Sequence, residues 1–319
     1  MIRKINIDID FTRYTSHVAL IKDLSPAFDA EWNDDVYIKI NLHSYSIIYS
    51  DMLAIVASTV SHLREKRVTI KGAFMPFSNQ NQADYASRVN FFQLVGLEYQ
   101  ESFFRHDSSG KFTEIRKFFS EKNSTDKISI LHQDIIRILH NCQVMKEVMI
   151  VLEFCLHEVL DNTLNHSKAT NGWACCQYFK EKKEIRLVVL DTGIGIHKAL
   201  TEYPESNYKE LSEEEAVFRC IEKGVTNGKG AGFGLWATSQ FIRENGGEML
   251  IYSGNHFLNC HDKTPQVQKG AFWNGTLTYL KINTDIPVDH KVIFGEEYTR
   301  DDDYDWFIEN RIGVTENLW

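Results

Sequence analysis

In the segment HEVLDNTLNH, residues 157–166, Glu158 and Asn162 stand four positions apart and Asn165 follows three later. On a helix that spacing places a carboxylate and two carboxamides along one stripe, an odd set for a core and too polar to bury unpaired. Val151, Leu152, Phe154, Cys155, Val159 and Leu160 supply an apolar face. Downstream, IRLVVLDTGIGI is an apolar run that ends at Asp191, with Gly193 and Gly195 after it. Alternate glycines beyond a strand permit a tight turn and close backbone approach to a flat ligand, and a carboxylate there can accept the exocyclic amino proton of an adenine. Further on, TNGKGAGFGLWATSQF sets Gly228, Gly230, Gly232 and Gly234 at every second position before a helix from Leu235. Backbone amides in such a loop, with the positive end of the helix, make an anion site suited to phosphates.

Other chemistries fit these residues less well. His157-Glu158 opens like a zinc-protease helix, but a zinc helix needs its second histidine one turn on, where this chain has Asp161. His166 lies nine residues from His157, about half a turn round a straight helix. The glycine run is neither a Walker loop, since no Lys-Ser or Lys-Thr follows its last glycine, nor a Rossmann fingerprint, since no strand immediately precedes it. For each motif alone a bland reading also stands: a solvated helix face, an ordinary strand-to-loop turn, a surface loop.

These motifs need a scaffold, and the chain has one. Its 319 residues, 43% of them hydrophobic, suffice for about two globular domains. The formal charge of -9, from 44 acidic and 35 basic residues, argues against a broad nucleic-acid surface. The N-terminus lacks the apolar run of a signal peptide and no later run approaches the roughly 20 residues of a membrane span, so a soluble cytoplasmic protein is expected. Six cysteines without a CxxC spacing read as reduced, mostly buried thiols.

Alternation at Ile5, Ile7, Ile9 and Phe11 predicts a strand, and residues 13–30 a helix. Strand-like VYIKINL (36–42), a helix from a capping Ser50, and RVTIKGAF (67–74) follow. A polar run, SNQNQAD, then leads to a short helix closed by Gly96, and residues 105–126 read as an exposed connector. Beyond it the pattern predicts helices at about 127–141 and 146–167, strands at about 172–180 and 184–191, helices at about 213–223 and 234–245, and strands at about 248–253 and 271–282. The expected division is an α/β domain over 1–122, a second α/β domain over 123–285, and an acidic tail, 286–319, whose Tyr304, Trp306 and Phe307 offer anchors for a contact.

Taken in order, Glu158-x3-Asn162, Asp191-x-Gly193-x-Gly195, Gly230-x-Gly232-x-Gly234-Leu235 and Gly275-Thr276 resemble the boxes of the GHKL ATP-binding superfamily, over roughly residues 125–283. The resemblance implies a Bergerat-type sandwich, helices packed on a mixed, mainly antiparallel sheet. It also implies that ATP and Mg²⁺ are the cofactors: Glu158 is the general base, Asn162 holds the Mg²⁺ and Asn165 faces the nucleotide. By the same comparison Asp191 binds the adenine amino group over a floor of Gly193 and Gly195, with Ile196 beside them. Gly230, Gly232 and Gly234 form the lid over the phosphates, flanked by Phe233 and Leu235, with Lys229 in reach of the phosphates, and Thr276 stands near adenine.

Residues 30–100 are similar to STAS domains of anti-sigma-factor antagonists, and VLEFCLHEVLDNTLNHS looks like the first box of serine-kinase anti-sigma factors. Where STAS domains carry a phosphorylatable serine this chain has Asp51, so phosphorylation there is not expected. His132, on a helix but without the following proline, is a poor match to a phosphoacceptor histidine. The resemblance implies ATP hydrolysis or γ-phosphate transfer to a partner protein, or else an ATP-gated binding module that controls one. A homodimer is left open, a nucleic-acid partner is not expected, and no membrane partner is implied.

Overall fold

The computed structural model describes residues 2–42, 48–74, 80–105, 111–119, 124–141, 144–168, 171–226, 232–261, 264–289, 291 and 293, with some side chains inside these ranges left aside. The N-terminal part opens with strand β1 (Lys4–Asp10), helix α1 (His17–Leu24) and a short 3-10 turn (Ser25–Asp29) begun by Pro26. Strand β2 (Asp35–Asn41), helix α2 (Ser50–Glu65) and strand β3 (Thr69–Phe74) follow, and the three strands form a parallel sheet in the order β1-β2-β3. Helices α3 (Gln80–Arg88) and α4 (Phe91–Val95) close this part. The single short helix expected here is broken by Asn90, which takes a left-handed conformation at φ 66°, and α3 starts earlier, inside the polar run. Gly96, at φ 67°, ends α4 in the αL cap expected of it.

The second part contains β4 (Arg116–Phe119), α5 (Ser124–Asn141), α6 (Lys146–His166), β5 (Asn171–Phe179), β6 (Glu184–Asp191), α7 (Gly195–Thr201), α8 (Glu213–Arg219), α9 (Gly234–Asn245), β7 (Glu248–Cys260) and β8 (Gln266–Asn283). Its strands make an antiparallel sheet in the order β4-β5-β6-β8-β7. The chain is therefore α/β throughout, and the helix-and-antiparallel-sheet arrangement of the second part agrees with a Bergerat-type fold. Strand β4 falls within the segment expected to be an exposed connector, and lies before the expected boundary at 122 although it pairs with β5 of the second sheet. Helix α7 and the outer halves of β7 and β8 also exceed what periodicity indicated.

Both faces of the antiparallel sheet are covered. Strand residues point alternately to opposite faces. On β6, Leu187 and Val189 face a core shared with α6, α8 and α9, while Val188 and Leu190 face a core shared with α1 and α2. Trp173, Cys175, Trp273, Leu277 and Tyr279 join the latter, so the N-terminal part packs on one face of the sheet and the helices on the other. Each fully buried Leu or Ile contributes about 1.5–3 kcal/mol, which makes this double burial the main source of cohesion between the parts. Val288 and Ile293 are buried on the helix side, while Tyr304, Trp306 and Phe307 lie outside the described residues.

Helix α2 carries the polar contacts of that interface. Ser50 is not the cap expected from the sequence: Tyr49 occupies the N-cap position, and the buried Ser50 hydroxyl donates to Gln177 Oε1 at 3.3 Å. Asp51 is buried and faces His17 Nε2 at 3.1 Å. Burial disfavours its ionised form, but the charge and hydrogen bond of His17 and the charge of Arg186 on β6 outweigh this and hold the carboxyl below the ordinary range. At the far end of α2, Glu65 accepts from Asn171 Nδ2 and pairs with Lys117 Nζ at 3.5 Å. Because the Asp51 pKa is depressed, its stabilisation is present at neutral pH and is lost as pH falls through the folded-state value. Asp51→Ala leaves a buried network without its acid and is expected to lower the unfolding free energy by about 3–5 kcal/mol in denaturant titrations; a loss below about 1 kcal/mol would contradict this assignment.

Candidate functional site

Helix α6 buries Leu152, Cys155, Leu156, Val159 and Leu160 against the sheet, and Glu158, Asp161 and Asn162 stand half-buried on its other side. Glu158 and Asn162 thus share one stripe, one turn apart, as the spacing required. The Glu158 side chain lies against the first residue of α9: a Cβ added at Gly234 would sit 2.3 Å from Glu158 Oε2. Only glycine lets the two helices approach so closely, and the result sets a carboxylate beside a helix N-terminus, whose first backbone N–H groups have no partner within the helix.

The loop that leads into α9 is anchored at its foot. Gly232, at φ 71°, accepts from the Gly224 amide at 2.9 Å, and a Cβ there would meet Gly224 and Val225 backbone atoms within 3 Å. Phe233 is exposed, edge-on to Trp236, and Lys223 Nζ stands 5.3 Å and 4.8 Å from the centres of the two rings. Lys229 and Gly230, and the side chain of Asn165 in the last turn of α6, lie outside the described residues.

At the end of β6, Asp191 is 1% exposed. Its carboxylate accepts from the Gly193 amide at 2.7 Å and from the backbone N–H of Thr276. Burial outweighs these two bonds and raises its pKa to about 7. The surrounding backbone is so close that side chains are excluded. A Cβ at Gly193 would lie 2.0 Å from the Ser167 carbonyl oxygen, and one at Gly275, which has φ 104°, would lie 2.7 Å from Asp191 Oδ1. The Ser167 carbonyl, just past α6, also accepts from the Ile194 amide at 2.8 Å, so the turn after Asp191 is tied to the helix that carries Glu158 and Asn162. Gly195, at φ 75°, starts α7.

Of the residues singled out in the sequence, Glu158, Asn162 and Gly234 form one group around α6 and α9, and Asp191, Gly193, Gly195 and Thr276 form another, joined through Ser167. Ile196 turns its side chain into the helix-side core and Leu235 packs partly against it, so both border the site chiefly by backbone. Residues missed in the sequence also hold the site. Ser253 accepts from the Ile196 amide and donates to the Gly275 carbonyl, each at 2.9 Å, and Asn274 Nδ2 donates to the Thr192 carbonyl at 2.6 Å.

The family model described as histidine kinase-, DNA gyrase B- and HSP90-like ATPase matches residues 149–274. The chain carries a GHKL-type ATPase domain. The match spans both glycine-rich turns and stops one residue before Gly275, whose contacts with Asp191 continue the same site. No curated protein matches the chain. Among the described residues no cluster of three or more His, Cys, Asp or Glu could hold a metal ion, and no helix is long and apolar enough to cross a membrane. Five described cysteines, Cys155, Cys175, Cys176, Cys220 and Cys260, are free and buried. His132 on α5 is buried as well; burial foremost, with the nearby His157 adding to it, lowers its pKa to about 4.

The raised Asp191 pKa has a sign that can be measured. Between about pH 4 and pH 7 the unfolded chain releases this proton while the folded protein keeps it, so the nucleotide-free domain loses stability as pH rises through that window. A shift of roughly three units corresponds to a loss on the order of 4 kcal/mol. Melting curves at stepped pH are expected to show Asp191→Asn without this loss; parallel profiles for the two proteins would contradict the assigned pKa.

Proposed function

We propose that the GHKL-type domain binds Mg-ATP and turns it over, by hydrolysis or by passing the γ-phosphate to a hydroxyl of a partner protein. The observation that carries this reading is the contact of Glu158 with Gly234. It puts a base at the N-terminus of the 12-residue helix α9, where the terminal phosphate of a nucleotide held on the other side by Asp191 would sit. An ATPase needs that base within reach of the attacking oxygen.

In this reading Asp191 accepts the adenine amino proton, the Gly193–Gly195 turn forms the floor of the adenine pocket, and Thr276 closes it from β8. Asn162, one turn beyond Glu158, is the protein ligand for Mg²⁺. A lone carboxamide suits that ion, which would keep most of its water when held there. When bound, the ion neutralises charge on the phosphates. Glu158 orients the water or acceptor hydroxyl and takes its proton, while the α9 amides hold the phosphate oxygens. Gly230, Gly232 and Gly234, with Lys229, belong to the lid over them.

The N-terminal part is proposed as a STAS-like regulatory module, and the protein as a cytoplasmic regulator of the anti-sigma-kinase kind. Ser50 and Asp51 are buried against the sheet, so the turn that carries the phosphorylated serine in STAS domains faces inward here. A second reading, an ATP-gated binding module with slow turnover, draws support from the same packing. The N-terminal part lies against β6, the strand that ends in Asp191, so a change at the nucleotide could be felt at the interface.

With Mg²⁺ and γ-labelled ATP, Glu158→Ala is expected to bind nucleotide within about threefold of wild type while losing at least about 100-fold in phosphate release or transfer. Equal turnover by the two proteins would rule out Glu158 as the base. For ATP binding, the affinity is expected to rise with pH toward the Asp191 pKa of about 7 and level off above it, a dependence absent from Asp191→Asn. If titration calorimetry gives that variant wild-type affinity and the same profile, adenine lies elsewhere.

A further inference from the structure

The ladder between β7 and β8 is interrupted beside the adenine turn. Ser253 pairs with Thr276 but Gly254 pairs with Trp273, so Asn274 and Gly275 have no opposite residue and leave the ladder. Those displaced residues are the ones that reach the turn after Asp191: Asn274 through the Thr192 carbonyl, Gly275 by backbone contact with Asp191 and Gly193. A bulge re-aims a strand at a chosen point, and this one aims β8 at the Asp191 carboxylate.

Two side chains hold the bulge. From inside, the buried Ser253 hydroxyl accepts from the Ile196 amide and donates to the Gly275 carbonyl, each at 2.9 Å, joining both walls of the turn. From outside, Glu213 in the first turn of α8 accepts from the Asn255 amide, and it lies 2.9 Å from His256 Nδ1. Gly254 makes room for this carboxylate: it has φ 62°, and a Cβ there would sit 2.6 Å from Glu213 Oε1. Helix α8 is itself fixed by a capping box in which the Ser212 hydroxyl accepts from the Glu215 amide and the Glu215 carboxylate accepts from the Ser212 amide.

We infer that Ser253, supported by the Glu213 clasp on the bulge, is a positioning residue that sets the Gly193–Ile196 turn against Asp191 and thereby the selectivity for adenine over guanine. The inference rests on Asp191 as the adenine acceptor. A carboxylate at that point accepts from the amino group of adenine and repels the carbonyl oxygen that guanine presents in its place, so selectivity depends on how rigidly the base is held at the acid. Without the Ser253 hydroxyl, the Ile196 amide loses its acceptor in a buried setting and the turn is free to shift.

Calorimetric titration of the full chain with Mg-ATP and Mg-GTP tests it. Wild type is expected to prefer ATP. Ser253→Ala is expected to lose about 10-fold in ATP affinity with little change for GTP, and Ser253→Thr, which keeps the hydroxyl, to return within about threefold of wild type. An unchanged ATP-to-GTP ratio in Ser253→Ala, including an equal loss for both nucleotides, overturns the inference. Should Ser253→Ala fail to fold, Glu213→Gln decides: a ratio narrowed by about threefold supports the positioning role and an unaltered ratio overturns it. Wild type that does not discriminate the two nucleotides defeats the Asp191 reading, and the positioning role falls with it; discrimination by wild type that Ser253→Ala retains defeats the positioning role alone.

Discussion

Asp191 is a carboxyl group withdrawn from water at the end of a strand that is itself buried on both faces, and the rest of the site is arranged around that constraint. Burial raises its pKa to about 7, and the backbone amides of Gly193 and Thr276 offset part of the cost. Bringing both amides to one carboxylate leaves no room for side chains at Gly193 or Gly275. The glycines around Asp191 are thus consequences of solvating a buried acid with backbone. A group so placed is satisfied further by a ligand that donates to it, which is why it suits the adenine acceptor proposed for it.

The same crowding ties distant elements together. The Gly193–Ile194 turn closes on Ser167 at the end of α6, and α6 meets the start of α9 through Glu158 and Gly234. The carboxylate of Glu158, the N-terminus of α9 and the carboxamide of Asn162, to which the proposed reading gives base, phosphate and cation, thereby sit on packed helices rather than on separate loops. Packing of the N-terminal part on the opposite face of the sheet extends this framework. Helix α2 touches β6 near Arg186 and β5 at Asn171, next to Gly172, which pairs across the sheet with Asp191. The N-terminal part and the turn after Asp191 therefore share two adjacent strands.

Much of this was legible in the sequence, for physical reasons. Glycine at fixed spacing signals backbone that must approach something closely, and the Glu158–Asn162 stripe follows from helical periodicity alone. The apolar run before Asp191 belongs to a strand covered on both faces. What could not be read were contacts made by ordinary residues across long sequence separations. Ser253 is one serine in a strand pattern, and its partners Ile196 and Gly275 lie far away in the chain. Ser50 looked like a helix cap because local rules favour serine there, but a tertiary partner, Gln177, claimed its hydroxyl. Strand β4 is too short, at four residues, for alternation to reveal it within polar surroundings, and the break at Asn90 depends on a left-handed residue that periodicity does not register.

The central claim is that the acid at the end of β6 and the helix that begins at Gly234 hold the two ends of one nucleotide. A crystal structure of the protein with Mg²⁺ and a non-hydrolysable ATP analogue tests it most directly. The account predicts the adenine amino nitrogen about 3 Å from the Asp191 carboxylate and the terminal phosphate at the start of α9, beside Glu158. Adenine bound away from Asp191, or a terminal phosphate remote from Gly234, would contradict it.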